Sequence, residues 1–314
     1  MKKAFFFGIL CFVVSFVHAQ DTIEAPGKGY QPIVLNENYN HNKYGVEPTD
    51  IIYNFRAYTT SFDSDDDNNK DGLSDLWGVP EWVAFEIHAT PGEMPSYSRP
   101  KWMTDDELYE EKKAPNDDTY KVSGTSSIKV VKTNNRFVRG HMCPKNTADR
   151  LGKSAGWNTH TMLNAVPQLQ WQNNGVWKYL EQDCGKWADK YEKIWVVCGP
   201  AYFSSNPSMW LGQAEEVPAA IPDAIYKVVI RENPDSKNGI ETLAFLFPNI
   251  VKSDRKNVYE FLTSISTIEG ATGLSFLTKA ELSDEELKSI KLFGLNEEGK
   301  ELSNSKKRRI YNQW

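Results

Sequence analysis

Hydrophobic and polar positions divide this chain unevenly. Residues 20–50 are polar and rich in Asn, Pro and Gly, which predicts a flexible leader, and apolar alternation begins near Ile51. In PEWVAFEIHA (80–89), Val83, Phe85 and Ile87 alternate with Glu86 and His88, the pattern of a half-buried strand. SSIKVV (126–131) is a second strand candidate. In NNGVWKYLEQDCGKWADKY (173–191), Val176, Leu180, Cys184 and Trp187 recur at helical spacing. IWVVCGP, AIYKVVI and ETLAFLF then follow as three strands. LSDEELKSIKLF (282–293) predicts a helix opened by a Ser283–Glu286 capping box, and the KKRRIYNQW end reads as a solvated basic tail. Strands and helices mix without regular βα alternation, so the expected class is α+β, with a mixed, mainly antiparallel sheet flanked by helices.

Composition adjusts this picture in three places. MKKAFFFGILCFVVSFVHA (1–19) has the basic start, short apolar run and small residues of a secretory signal. Its apolar stretch is shorter than the ~20 residues that span a bilayer, so the processed chain is expected to be free of the membrane, secreted or periplasmic. The formal net charge of −6 owes much to DSDDDNNKDGLSD (63–75), which holds six Asp and one Lys. That local acidity leaves a polyanionic ligand open elsewhere. Beyond the signal lie Cys143, Cys184 and Cys198; a Cys184–Cys198 bridge with Cys143 left over and three buried free thiols are both open.

The candidate chemistry centres on RFVRGHMCPKNTADR (136–150), where His141 stands among Arg136, Arg139, Lys145 and Arg150. Nearby cations disfavour the imidazolium, leaving a neutral base beside groups that hold phosphate. Asn173, Trp177 and Glu181 are four residues apart along one helix edge. A carboxamide and a carboxylate facing one cavity suit a hydrated hard cation such as Mg²⁺; a capping Asn and a solvated Glu are the alternative. Separately, DNNKDGLSD (67–75) fits the start of a calcium loop through Asp67, Asn69, Asp71 and Asp75, with Gly72 at the turn. Its twelfth position is Gly78 rather than Glu, and a solvated insertion over 63–78 is the other reading.

RGHMCP, LNAVPQ, NNGVWKYLE and VVCGPAYF, flanked by VPEWVAFEI and GATGLSFL, resemble in order the segments of the DNA/RNA non-specific endonucleases. The likeness runs from Tyr53 to Phe276 and implies a ββα-metal core within a domain over 51–280, followed by a C-terminal helix and tail over 281–314. It implies His141 as general base, Arg139 on the scissile phosphate and Asn173 as the one protein ligand of Mg²⁺, with Mn²⁺ a substitute. Glu181 matches the acid that orients the metal's waters, Asn164 and Gln168 match residues supporting the site, and Arg99 matches a transition-state arginine. The implied substrates are DNA and RNA, bound through backbone phosphates. Cys143, where the family has a small residue, reads as packing. The family's motif aspartate is Val138 here, which keeps open a weakly catalytic relative that binds nucleic acid; a further alternative is an exported calcium-binding protein whose nuclease likeness is scaffold only.

Overall fold

The computed structural model describes residues 22–23, 33–48, 51–62, 77–90, 92–103, 114–120, 137–204, 207–212, 216–249 and 252–314. The expected signal at 1–19, the strand candidate at 126–131, Arg136 and the expected calcium ligands Asp67, Asn69, Asp71 and Asp75 lie outside them.

The strands that position the site are β1 (Val46–Glu47), β2 (Ile51–Asn54), β3 (Thr59–Phe62), β4 (Pro80–His88), β5 (Phe137–His141), β6 (Ala165–Leu169), β7 (Lys193–Ala201), β8 (Ala224–Glu232), β9 (Ile240–Pro248), β10 (Leu262–Thr263) and β11 (Ser275–Phe276). Seven of them form one sheet in the order β10-β9-β8-β7-β4-β3-β2. Every neighbouring pair in it is antiparallel, in keeping with the mainly antiparallel sheet expected. β5 and β6 form a separate hairpin-like pair. The α-helices of six or more residues are α1 (Lys153–Asn158), α2 (Lys178–Tyr191), α3 (Ile265–Thr272), α4 (Asp284–Leu292) and α5 (Asn304–Tyr311). None among the described residues is long and apolar enough to cross a membrane.

β4 is buried on both faces rather than one. Val83, Phe85 and Ile87 join the cluster under α2 with Trp177, Leu180 and Cys184. Trp82 and Ala84 face a second layer holding Tyr44, Val46, Ile268 and Phe276. A sheet covered on both sides replaces alternation with near-continuous burial. The covering layer includes part of the expected flexible leader: β1 pairs with β11, and His41 Nδ1 accepts the Glu86 N–H at 3.1 Å. Residues 35–48 are therefore part of the packed fold.

The C-terminal end is also packed rather than solvated. Tyr311 and Trp314 each meet Trp187 at 5.4 Å, and Arg231 lies 4.4 Å over the Trp314 ring. Lys307 is buried and reaches Glu301 at 3.1 Å. The α4 capping box forms as expected, between Ser283 and Glu286. Cys143, Cys184 and Cys198 are all free and buried, so the Cys184–Cys198 bridge does not form. Burial pushes the Cys184 and Cys198 thiols up to about 12, which keeps them unreactive.

Candidate active site

Strand alternation sends Arg139 and His141 to one face of β5, and Val138 and Gly140 to the other. Val138 pairs with Gln168 and His141 with Ala165 across the hairpin. Gly140 is required by space: a Cβ there would stand 2.3 Å from Gln168 Oε1 and 2.6 Å from Gln168 Cβ. Gln168 Nε2 donates to Gln172 Oε1 at 3.0 Å, and Gln172 Nε2 to the Pro248 carbonyl at 3.0 Å. These bonds tie the hairpin to the sheet and to the residue preceding Asn173.

Asn164 holds the turn after His141. Its Oδ1 accepts the Cys143 N–H at 2.8 Å, and its Nδ2 donates to the Cys143 and Thr159 carbonyls, both at 2.9 Å. Fully buried, it satisfies three backbone groups that have no water to turn to.

His141 sits against Trp102 and His160, with ring centroids 4.5 and 4.7 Å away. Its Nε2 is buried and has no hydrogen-bond partner among the described residues. Burial first, then His160, Arg99, Arg139 and Lys145, hold its pKa well below the usual histidine value, so the imidazole is neutral at pH 7. Arg139 forms an ion pair with Asp117 and lies 5.3 Å over the Trp102 ring. The buried Lys145 donates to both carboxylate oxygens of Asp149, at 2.9 and 2.6 Å, and to the Tyr97 carbonyl at 2.7 Å. Arg99 is exposed, and its charge lowers the pKa of His141, His160 and Glu181 alike.

The segment carrying Asn173 and Glu181 differs from the straight helix expected. Asn173–Trp177 forms a wide π-type turn in which Gly175 leaves helical geometry (φ −108°, ψ −114°) before α2 begins. Such bulges occur often at functional sites because they re-aim side chains. Asn173 is half-exposed. Burial raises the Glu181 carboxyl to about 7, against the opposing pull of Lys227 and Trp177. Among the described residues no three or more His, Cys, Asp or Glu are grouped to hold a metal ion. A carboxamide at the start of this segment and a carboxyl in the first turn of α2, poised to ionise, are nevertheless the donor types that suit a cation keeping most of its waters, because a nearby dication favours the ionised carboxylate.

Four participants were not singled out from sequence. His160 and Trp102 wall His141, Asp117 pairs with Arg139, and Lys227 lies buried with Nζ 3.9 Å over the Trp177 ring. Only Lys227 carried a signal, as a charge inside the apolar run AIYKVVI. The others meet the site through tertiary packing alone.

The family model for DNA/RNA non-specific endonucleases matches residues 67–283. "Nuclease EXOG, mitochondrial" of Danio rerio is 30% identical over 218 residues, covering 66% of this chain and 59% of that protein. The "Mitochondrial nuclease" of Saccharomyces cerevisiae is 26% identical, covering 46% of each chain. The chain thus spans less than two thirds of the length of these curated relatives. The crystal structure of the EndoG/EndoGI complex aligns with a TM-score of 0.59 at 22% identity, over 76% of this chain and 90% of that one, a likeness of fold.

Proposed function

The chain belongs to the DNA/RNA non-specific endonuclease family, and we propose that it hydrolyses phosphodiester bonds of DNA and RNA with little sequence preference. The observation carrying this reading is His141 on the same strand face as Arg139, packed on Trp102 and His160, with its Nε2 unpartnered among the described residues and its pKa held low by burial, His160, Arg99, Arg139 and Lys145. An imidazole that stays neutral accepts a proton at physiological pH, while the cations attract the phosphate that would be attacked. Contacts of this kind go to the backbone and carry no sequence information.

In the proposed reaction His141 takes a proton from water as its oxygen attacks phosphorus. The bond to the 3′ oxygen breaks, and that oxygen takes up a proton from solvent, leaving 5′-phosphate and 3′-hydroxyl ends. Arg139, braced by Asp117 and Trp102, lies on the charge developing at phosphorus, with Arg99 at the rim. Asn164 and Gln168 keep the base and the arginine in register. Asn173 and Glu181 would hold a hydrated Mg²⁺, with Mn²⁺ as substitute, and when bound the ion would supply positive charge to the leaving oxygen. Export through residues 1–19 belongs to the same proposal and is tested by N-terminal sequencing of the protein recovered from periplasm or medium.

The deciding experiment digests supercoiled plasmid and total RNA with Mg²⁺, with Mn²⁺, with chelator, and with His141→Ala beside the parent. Cleavage of both substrates, lost with chelator and with the substitution, supports the reading. A folded parent that cuts neither substrate with either metal refutes it.

A further inference from the structure

His160 is a buried imidazole beside that of His141. Its ring centroid lies 4.7 Å from that of His141 with the planes 73° apart, an edge-to-face contact. Trp102 closes the group, 5.1 Å from His160 and 4.5 Å from His141. His160 is anchored from several directions. Its Nδ1 lies 3.1 Å from the Thr159 hydroxyl, and its carbonyl accepts the Met103 N–H at 2.7 Å. That second bond registers the Trp102 loop to the same residue. The adjoining shelf is fixed as well: Tyr58 Oη meets Thr161 Oγ1 at 2.8 Å, and Asn164 Nδ2 reaches the Thr159 carbonyl at 2.9 Å.

We propose that His160 is a positioning residue for His141: its ring, packed against both Trp102 and His141, sets the angle of the base and, through mutual repulsion on protonation, keeps the pair uncharged. The proposal rests on the nuclease reading above. The charged groups around the pair are Arg99 on the Trp102 loop, Lys145 with its partner Asp149, and Arg139 on β5. Burial and these cations hold His160 near pKa 4, and His160 in turn lowers His141. Two imidazoles this close titrate as a coupled pair, so each protonation disfavours the other. An aromatic ring without nitrogen would fill the same space without that repulsion.

The test compares the parent with His160→Phe, His160→Gln and His160→Ala, each checked for a native spectrum. Imidazole resonances are followed by NMR from pH 7.5 downward without substrate, so this arm reads the pairing whether or not nucleic acid is cut. In His160→Phe the His141 titration is expected to move to higher pH, and kcat at pH 7.5 to stay within about three-fold of the parent. The Gln and Ala variants, which remove the ring, are expected to lose about ten-fold or more in kcat at nearly unchanged KM, as misplacement of a base does. An unmoved His141 titration in His160→Phe overturns the electrostatic part. Parent-like kcat in folded His160→Ala or His160→Gln overturns the positional part. Absence of cleavage by the parent, with the titration shift intact, rejects the nuclease reading and leaves the pairing standing.

Discussion

Gly140→Ala tests whether the hairpin geometry sets the chemistry. The added methyl would stand 2.6 Å from Gln168 Cβ, and 2.3 and 3.0 Å from Gln168 Oε1 and Cδ. Carbon atoms in contact prefer about 3.5–4.0 Å, so roughly 1 Å of separation must be made. The amide oxygen can swing away, but the Cβ is fixed to the backbone of β6. The adjustment therefore falls on the β5–β6 pairing itself. Overpacking of this kind costs about 1–3 kcal/mol, which urea unfolding resolves as a lower midpoint at unchanged slope. Because Arg139 and His141 flank the glycine, a shift near 1 Å also costs on the order of 100-fold in kcat. Replacing Gln168 by Gly in the same chain removes the obstructing Cβ, and a double-mutant cycle should return about 1 kcal/mol or more of coupling. Parent-like stability and kcat in Gly140→Ala would refute the reasoning.

Other outcomes follow from the same contacts. Asn164→Ala strips the buried Cys143 N–H and the Cys143 and Thr159 carbonyls of their partner, and should cost on the order of 3 kcal/mol by urea unfolding; a loss below about 1 kcal/mol would mean those bonds do not hold the turn. Asp117→Asn breaks a partly exposed ion pair, so stability should change by less than about 1 kcal/mol while kcat falls several-fold because Arg139 loses its brace. Unchanged kcat there would show that Trp102 alone orients Arg139. Burial holds His41 and His160 down to about 4 in the folded chain, whereas the unfolded chain takes up those protons from about pH 6.5. Folded stability is thus full above pH 6.5 and lost as pH falls toward 4, by roughly 3 kcal/mol per histidine. Urea midpoints that match at pH 7.5 and 4.5 would contradict this.

The local chemistry was legible in the chain order. β7, β8 and β9, the α4 capping box and the order of His141, Asn164, Gln168, Asn173 and Glu181 are short-range patterns, set by side-chain period and by residues a few positions apart. The family resemblance rested on such patterns and stands. What misled was solvent exposure. Glu86 read as the wet face of a strand, yet it is buried beneath residues 35–48 and bonded to His88 at 2.6 Å, and Trp314 read as tail although it packs on Trp187. Burial depends on which distant segment arrives to cover a face, and strand alternation carries no record of that. The same limit hid Asp117, Trp102 and His160. Each reaches Arg139 or His141 from a separate loop through side-chain packing, which no spacing along the chain encodes. Sequence alone therefore determined the family and the motif residues, while tertiary structure decided what surrounds His141. Because desolvation and neighbouring charge set a pKa, it is those surroundings that keep His141 neutral.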